Sequence, residues 1–230
     1  MSIAENIAQV RANIAAAAAE AGRPPEEILL VGASKMNGAA ACREAIAAGI
    51  DALGENRVQE MTAKLQEDAY AGAPLHFIGH LQRNKVSKVV GKADLIQSVG
   101  SLELLEEIEK TAGRLELVQD ILLEVNIGQE AAKSGFHPAE VLSGAEAALS
   151  KCHVRVLGLM TIPPAEADRE ANLRYFDKVR ALFIDMNEKL FHNSLRYLSM
   201  GMSGDYEDAI RAGATMVRVG TAIFGSRHYV

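Results

Sequence analysis

Lys35 ends a stretch whose other residues predict a buried β-strand. The stretch Ile28–Lys35 reads ILLVGASK, and its first seven residues are apolar or small, as in a parallel strand that is covered on both faces. Lysine is rarely buried. A partly desolvated lysine amine has a lowered pKa and can attack a carbonyl to form an imine. The alternative is that the Lys35 side chain leaves the strand and extends into water.

Two loops near the end of the sequence have the composition of an anion site. Residues 199–205 read SMGMSGD, and residues 220–225 read GTAIFG. Their glycines allow backbone N–H groups to approach a ligand closely, and Ser199, Ser203 and Thr221 add hydroxyl donors. Barrels often bind phosphate with their last two loops. Together with Lys35, the loops predict a ligand that carries both a carbonyl and a phosphate.

Arg218 is a charged residue within the otherwise apolar stretch Met216–Val219. A buried guanidinium requires a partner, because burying an unpaired charge is costly. Two interpretations stay open at this point. Arg218 either pairs with an acid such as Glu124 inside the fold or donates to a ring nitrogen of a bound ligand.

Eight stretches of strand character alternate with helical stretches along the chain. The predicted strands are Ile28–Lys35, Asp51–Gly54, Leu75–Gly79, Leu95–Val99, Val118–Ile127, Val154–Thr161, Leu195–Met200 and Met216–Val219. This alternation predicts one α/β domain over residues 1–230, a (β/α)8 TIM barrel with the amphipathic helix Ser2–Ala21 as an extra cover. A doubly wound open sheet is the alternative, and the absence of a GxGxxG turn counts against it.

Polar residues at the strand ends are the candidates for a site, because barrel active sites lie at the carboxyl ends of the strands. Each candidate also has a structural explanation, such as a helix cap for Asn56 or a turn for Ser98. We expect the set to surround one mouth of the barrel. Its members are Lys35, Asn56, His80, Ser98, Asn126, Met160, Ser199 and Gly220.

Composition excludes several classes of function. The 230 residues carry a net charge of −6, which argues against a general binder of nucleic acid or anionic membranes. Cys42 and Cys152 show no metal-ligand spacing, so we expect reduced thiols and no metal site. With no basic leader and no membrane-spanning apolar run, the sequence predicts a cytoplasmic protein.

Seven segments, in order, resemble the YggS/PROSC family of pyridoxal-phosphate-binding proteins, whose fold is similar to the N-terminal barrel of fold-type III enzymes such as alanine racemase. One departure is the sequence after Lys35, where Met36, Asn37 and Gly38 replace the threonine and proline often found there. This departure would change access to an imine without removing the nucleophile. The segments are SK at Lys35, GENRVQE from Gly54, HFIGHLQRNK from His76, KSGF from Lys133, GLMTI from Gly158, SMGMSGD from Ser199 and RVGTAIFGSR from Arg218.

The resemblance implies pyridoxal 5'-phosphate as the cofactor and a role in vitamin B6 and amino-acid homeostasis. An arginine at the ring nitrogen donates a hydrogen bond but supplies no proton, so the cofactor is a poor electron sink and no catalytic residue or turnover is expected. The implied site consists of Lys35 as the aldimine lysine, Ser199, Gly220 and Thr221 at the phosphate, Asn56 and Met160 lining the pocket, and Arg218 at the pyridine nitrogen.

The chain stops at Val230, after the eighth βα unit. We therefore expect no counterpart of the C-terminal β-domain of alanine racemase, which supplies a second base, and a monomer in place of an obligate dimer. Apo enzymes that use pyridoxal phosphate are possible recipients of the cofactor. One alternative is an amino-acid racemase, which would need His80, Tyr175 or Tyr206 as its base. Another is a Schiff-base aldolase acting on sugar phosphates, which offers no role for Arg218.

Overall fold

The computed structural model describes residues 1–225, in which eight strands form a closed barrel in chain order. The predicted (β/α)8 barrel and its N-terminal helix are confirmed. The strands are β1 (Leu29–Ala33), β2 (Ala52–Glu55), β3 (Leu75–Phe77), β4 (Leu95–Val99), β5 (Gln119–Val125), β6 (Val154–Thr161), β7 (Tyr197–Ser199) and β8 (Met216–Val219).

Helices follow the strands as the alternating pattern predicts, except that the helix after β3 is a 3-10 helix and not an α-helix. The segment Gln82–Val90, predicted as a helix, contains a 3-10 helix over Arg83–Lys88 with bonds such as Lys85 N–H to Gln82 O (2.9 Å). The α-helices are α1 (Ile3–Glu20), α2 (Ala39–Ala47), α3 (Val58–Leu65), α4 (Leu102–Arg114), α5 (Val141–Leu149), α6 (Arg169–Leu190), α7 (Tyr206–Arg211) and α8 (Thr221–Phe224). Two further 3-10 helices span Pro25–Glu27 and Pro138–Glu140.

Contacts divide the described chain into two compact units. The first consists of Met1–His76 and the chain from Met200 onward, and the second consists of Phe77–Ser199. A single domain over residues 1–230 stays a prediction. Residues 226–230, which include the last two residues of the segment RVGTAIFGSR, lie outside the described part.

In the first unit, β1 lies between β8 and β2. Val31 pairs with Arg218 on β8 and with Ala52 on β2. Helix α1 begins with a reciprocal cap, in which Ser2 Oγ accepts from Glu5 N–H (3.2 Å) and Glu5 Oε2 accepts from Ser2 N–H (2.7 Å). Its buried residues Ile7, Val10, Ile14, Ala17 and Ala18 cover the unit from outside, as the spacing predicts.

In the second unit, β6 lies between β5 and β7. The β5–β6 pairing runs from Gln119–Val154 to Val125–Thr161, with a register shift after Ile121. Helix α4 buries Leu104, Leu105, Ile108 and Ala112 on one face, so the unit has an apolar core of its own.

The described residues contain neither a membrane-spanning helix nor a metal-binding cluster. None of the helices over residues 1–225 is both long and apolar enough to cross a membrane. In the same range, no group of three or more His, Cys, Asp or Glu side chains could hold a metal ion.

Candidate functional site

Lys35 lies two residues beyond β1 and lines a cavity of about 210 Å³ in the first unit. The strand itself is buried from Leu30 to Ala33, whereas the Lys35 side chain is half-buried. Asn37 Nδ2 donates to Lys35 O (3.0 Å), which closes the turn after the strand. The lining also includes Asn37, Ser203, Arg218, Gly220 and Thr221. The structure thus brings together five residues that the sequence indicates, namely Lys35, Ser203, Arg218, Gly220 and Thr221.

Asn56 directly follows β2, the strand beside β1, and is absent from the lining of the Lys35 cavity. Ala33 pairs with Gly54, and Lys35 and Asn56 each follow two residues later. The Asn56 Oδ1 atom is buried and has no hydrogen-bond partner among the described residues. Because buried polar atoms are normally hydrogen-bonded, this oxygen is suited to accept from a bound ligand.

Arg218 is 3% exposed on β8, beside Val31 of β1. An acid of its own unit, Asp205, interacts with it electrostatically. Burial raises the pKa of Asp205, and the hydrogen bond from Met202 N–H (2.6 Å) and the charge of Arg218 oppose that rise. The guanidinium is therefore a buried positive charge at the cavity wall, with an acid of the adjacent loop nearby.

Ser203 organises the loop opposite Lys35. Its Oγ atom accepts from Gly220 N–H (3.1 Å) and from Ala222 N–H (3.4 Å). A serine hydroxyl has two lone pairs and one proton. With both lone pairs engaged, the proton is left to donate to another acceptor, and Ser203 lines the cavity.

The fold of that loop depends on Gly201. Gly201 adopts φ +93°, and an added Cβ atom would lie 2.6 Å from the Cβ of Ala209 and 2.9 Å from the Cα of Tyr206. Only glycine adopts this conformation readily and leaves room for α7. The glycine in SMGMSGD therefore shapes the loop that carries Ser203.

Met160 and Ser199 belong to the second unit, where they pair with each other across β6 and β7. Both are fully buried. Ser199 Oγ donates to Gln97 Oε1 (2.7 Å), so this hydroxyl is already engaged within its unit. The predicted roles of Ser199 at a phosphate and of Met160 in the pocket stay predictions.

A buried charged cluster lies behind the Lys35 turn. Lys64 Nζ donates to Ser34 O (2.8 Å), to Glu55 Oε1 (2.5 Å) and to Glu60 Oε1 (2.9 Å). Ser34 Oγ donates to the same Glu55 oxygen (2.5 Å). We call Ser34, Glu55, Glu60 and Lys64 the anchor cluster. It stabilises the ends of β1 and β2, which carry Lys35 and Asn56.

The other strand-end residues lie in the second unit. His80 and Ser98 line a cavity of about 690 Å³ there, and the Ser98 hydroxyl is buried without a partner among the described residues. Asn126 Nδ2 donates to Glu130 O (2.9 Å), and Asn126 Oδ1 accepts from Glu130 N–H (3.2 Å), which is a structural role in a loop.

The tyrosines considered as bases have other surroundings. Tyr206 is 5% exposed, and its hydroxyl accepts from Asn13 Nδ2 of α1 (2.9 Å). Burial raises the pKa of Tyr206, and the hydrogen bond from Asn13 opposes this rise. Tyr175 lies on α6 in the second unit. Tyr206 is therefore engaged with the covering helix and is absent from the lining of the Lys35 cavity.

Sequence reasoning missed the anchor cluster and the engagement of Ser199 with Gln97. The sequence GENRVQEMTAK holds both acids of the cluster and its lysine. Of these contacts, only Glu60 with Lys64 has the i,i+4 spacing of a helical ion pair. This spacing is the one signal of the cluster in the sequence, but it usually indicates an ion pair on an exposed helix face.

Comparisons with known proteins identify the family of this chain. Residues 6–228 match the family model of the alanine racemase N-terminal domain. The pyridoxal phosphate homeostasis protein of Aquifex aeolicus is 42% identical over 229 residues, which is 100% of each chain. The solved structure of PipY of Synechococcus elongatus with pyridoxal phosphate bound is 34% identical with a TM-score of 0.85, covering 97% of this chain and 100% of PipY.

A more distant likeness concerns the fold alone. An alanine racemase of Clostridium difficile is 18% identical with a TM-score of 0.71, covering 89% of this chain and 53% of the racemase. The resemblance found in the sequence is thus confirmed at the level of the family. This chain belongs to the alanine racemase N-terminal domain family and, within it, to the group of pyridoxal phosphate homeostasis proteins.

Proposed function

We propose that this protein binds pyridoxal 5'-phosphate, holds it reversibly as an imine on Lys35, and serves cytoplasmic vitamin B6 and amino-acid homeostasis without catalytic turnover. One observation carries the proposal. Lys35, the buried Arg218 and the two loops that carry Ser203 and Gly220–Thr221 line a single cavity of the first unit. The names of the relatives and the ligand of PipY support the same cofactor.

The residues present fit the three functional groups of this cofactor. Lys35 supplies an amine for the aldehyde, and Arg218 supplies a donor for the ring nitrogen. The hydroxyls of Ser203 and Thr221, which both line the cavity, supply donors for the phosphate. The orphaned Oδ1 of Asn56 supplies a buried acceptor directly after β2.

Lys35 would hold the cofactor through its Nζ atom, which would form a reversible C=N bond to the aldehyde carbon with loss of water. Addition of water would release the cofactor. A covalent but reversible bond suits a protein that holds a reactive aldehyde and releases it to apo enzymes.

The residues that line the cavity support a protein that holds the cofactor in preference to one that catalyses a reaction with it. Among the described residues that line it, none is a histidine, tyrosine or cysteine, so no second proton-transfer group faces Lys35 there. Arg218 stays protonated, so it donates to a ring nitrogen without giving up a proton. A monomer that passes the cofactor to apo enzymes is the form of the proposal that we favour.

Borohydride trapping tests the tether. Treating the protein with pyridoxal phosphate and borohydride should place one reduced label on Lys35, read by mass spectrometry of peptides. The variant Lys35→Ala should lose the imine absorption but retain weaker, noncovalent binding through the phosphate contacts. A label on another residue, or none, would contradict the proposal. Exchange of the α-proton of amino acids by the loaded protein would favour a racemase instead.

A further inference from the structure

The anchor cluster is hydrogen-bonded to the backbone on both sides of Lys35. On one side, Ser34 O accepts from Lys64 Nζ (2.8 Å). On the other side, Met36 N–H donates to Glu60 Oε1 (2.5 Å). Since Glu60 Oε1 also accepts from Lys64 Nζ (2.9 Å), one ion pair connects the two flanking residues.

Met36 adopts an uncommon backbone conformation that needs external support. Its φ is +63°, in the left-handed region that non-glycine residues rarely occupy. The Met36 side chain is 53% exposed, so packing does not hold it there. The hydrogen bond to Glu60 is the one contact of the Met36 N–H group among the described residues. Two bonds of Asn37, from its N–H to Ser34 O (3.0 Å) and from Nδ2 to Lys35 O (3.0 Å), support the same turn.

Lys64, which binds Glu60 at the end opposite Met36, is held rigidly. Lys64 is 5% exposed and Glu55 is fully buried, and the three ammonium protons of Lys64 have three oxygen acceptors. A lysine that is held at this many points has little freedom to move. Glu60 is less buried, with 21% of its side chain exposed, so it accepts conservative replacement more easily.

We propose that Glu60 is a positioning residue, which holds the strained Met36 turn against Lys64 and so directs the Lys35 amine into the cavity. The inference rests on the proposed function, because it concerns the residue that forms the imine. It adds a role for a side chain that does not line the cavity. A lysine held in a productive orientation reacts with an aldehyde faster than a free one, since its orientation is fixed in advance.

Two conservative variants distinguish the effect of the position of the Glu60 carboxylate from the effect of its charge. Glu60→Asp keeps the charge but shortens the side chain, so the carboxylate no longer reaches Met36 N–H. Glu60→Gln loses the charge but keeps the length and an acceptor oxygen. We expect the rate constant of imine formation, followed by absorbance after rapid mixing with pyridoxal phosphate, to fall about tenfold in Glu60→Asp and less than about threefold in Glu60→Gln.

A second readout uses the protein without ligand. Exchange of the Met36 amide hydrogen should be faster in Glu60→Asp than in the natural protein and Glu60→Gln. Affinity for pyridoxine 5'-phosphate, which has no aldehyde, should change less than about twofold in either variant because the phosphate contacts remain. Adding Met36→Gly to Glu60→Asp should recover part of the lost rate, since glycine adopts the turn without strain.

Glu170→Asp is the matched control, because Glu170 forms an exposed i,i+4 pair with Arg174 on α6. It should leave all three measurements unchanged. Normal imine formation and Met36 exchange in Glu60→Asp would overturn the inference, and so would a loss in Glu60→Gln greater than in Glu60→Asp. If the natural protein forms no imine, the proposed function fails as well. If the natural protein forms the imine and the Glu60 variants form it equally fast, the positioning role alone fails.

Discussion

Two lysines of the first unit lie near the end of β1 and differ in everything that decides their chemistry. Lys64 is 5% exposed and donates to three oxygens of Ser34, Glu55 and Glu60. Lys35 is half-buried and lines a cavity. Burial alone would therefore select Lys64, whereas the cavity selects Lys35 as the proposed nucleophile. The feature that distinguishes Lys35 is its place in the lining of a cavity.

The surroundings of Lys64 also determine its charge. Burial acts to lower the pKa of Lys64, but the hydrogen bond and charge of Glu55, with Glu60, raise it above its ordinary value overall. Lys64 therefore stays an ammonium ion and cannot attack a carbonyl. Its role is to stabilise the turn that carries the other lysine.

Replacing each lysine by methionine should show the largest effect. Lys64→Met leaves the buried Glu55 without its cation, and we expect the free energy of unfolding to fall by about 3–5 kcal/mol. Lys35→Met should change it by less than about 1 kcal/mol, because the side chain is partly exposed. Urea denaturation of both variants measures the difference, and similar losses would mean that the two sites are not distinct.

Most of the fold was predictable because each strand is a local apolar run bounded by turn residues. The predictions were weakest where a local pattern is ambiguous: β7 spans only Tyr197–Ser199 within the predicted Leu195–Met200. The sequence indicates Lys35 and Gly220 as strand-end residues, Arg218 as a charge in an apolar strand, and Thr221 as a hydroxyl of a glycine-rich loop. These four residues line one cavity because β1 and β8 are paired, as Val31 is with Arg218, and their roles at a cofactor stay predictions.

The partners of the two serines and the anchor cluster depend on which groups the fold brings together, and a sequence pattern does not specify this. Ser199 and Ser203 both offer a hydroxyl within SMGMSGD, and the resemblance assigned Ser199 to the phosphate. Ser203 lines the cavity of the first unit, whereas Ser199 donates to Gln97 of the second unit, 102 residues earlier. The anchor cluster escaped notice for a similar reason, because Glu55 and Lys64 meet only through the packing of α3 on β2.

The pH dependence of stability gives a smaller test of the Lys64 environment. Its pKa is raised in the folded protein above the ordinary 10.5, so its contribution is complete below pH 10.5 and is lost as pH rises through the folded value. The stability difference between the natural protein and Lys64→Met should be constant from about pH 7 to 10 and then shrink by about 1.4 kcal/mol per unit. Lys189→Met, which removes an exposed pair with Asp185, should show no such decline.

The two serines give the smallest and most local test of the cavity. Ser203→Ala removes a donor that lines the cavity, so the affinity for pyridoxine 5'-phosphate should fall by about 1 kcal/mol, or roughly fivefold. Ser199→Ala removes the donor to the buried Gln97, so it should instead lower the free energy of unfolding by about 1 kcal/mol. Calorimetry and urea denaturation measure the two quantities. A larger loss of affinity in Ser199→Ala would instead favour Ser199, the residue implied by the sequence, as the phosphate ligand, because only a hydroxyl in contact with the ligand changes its affinity directly.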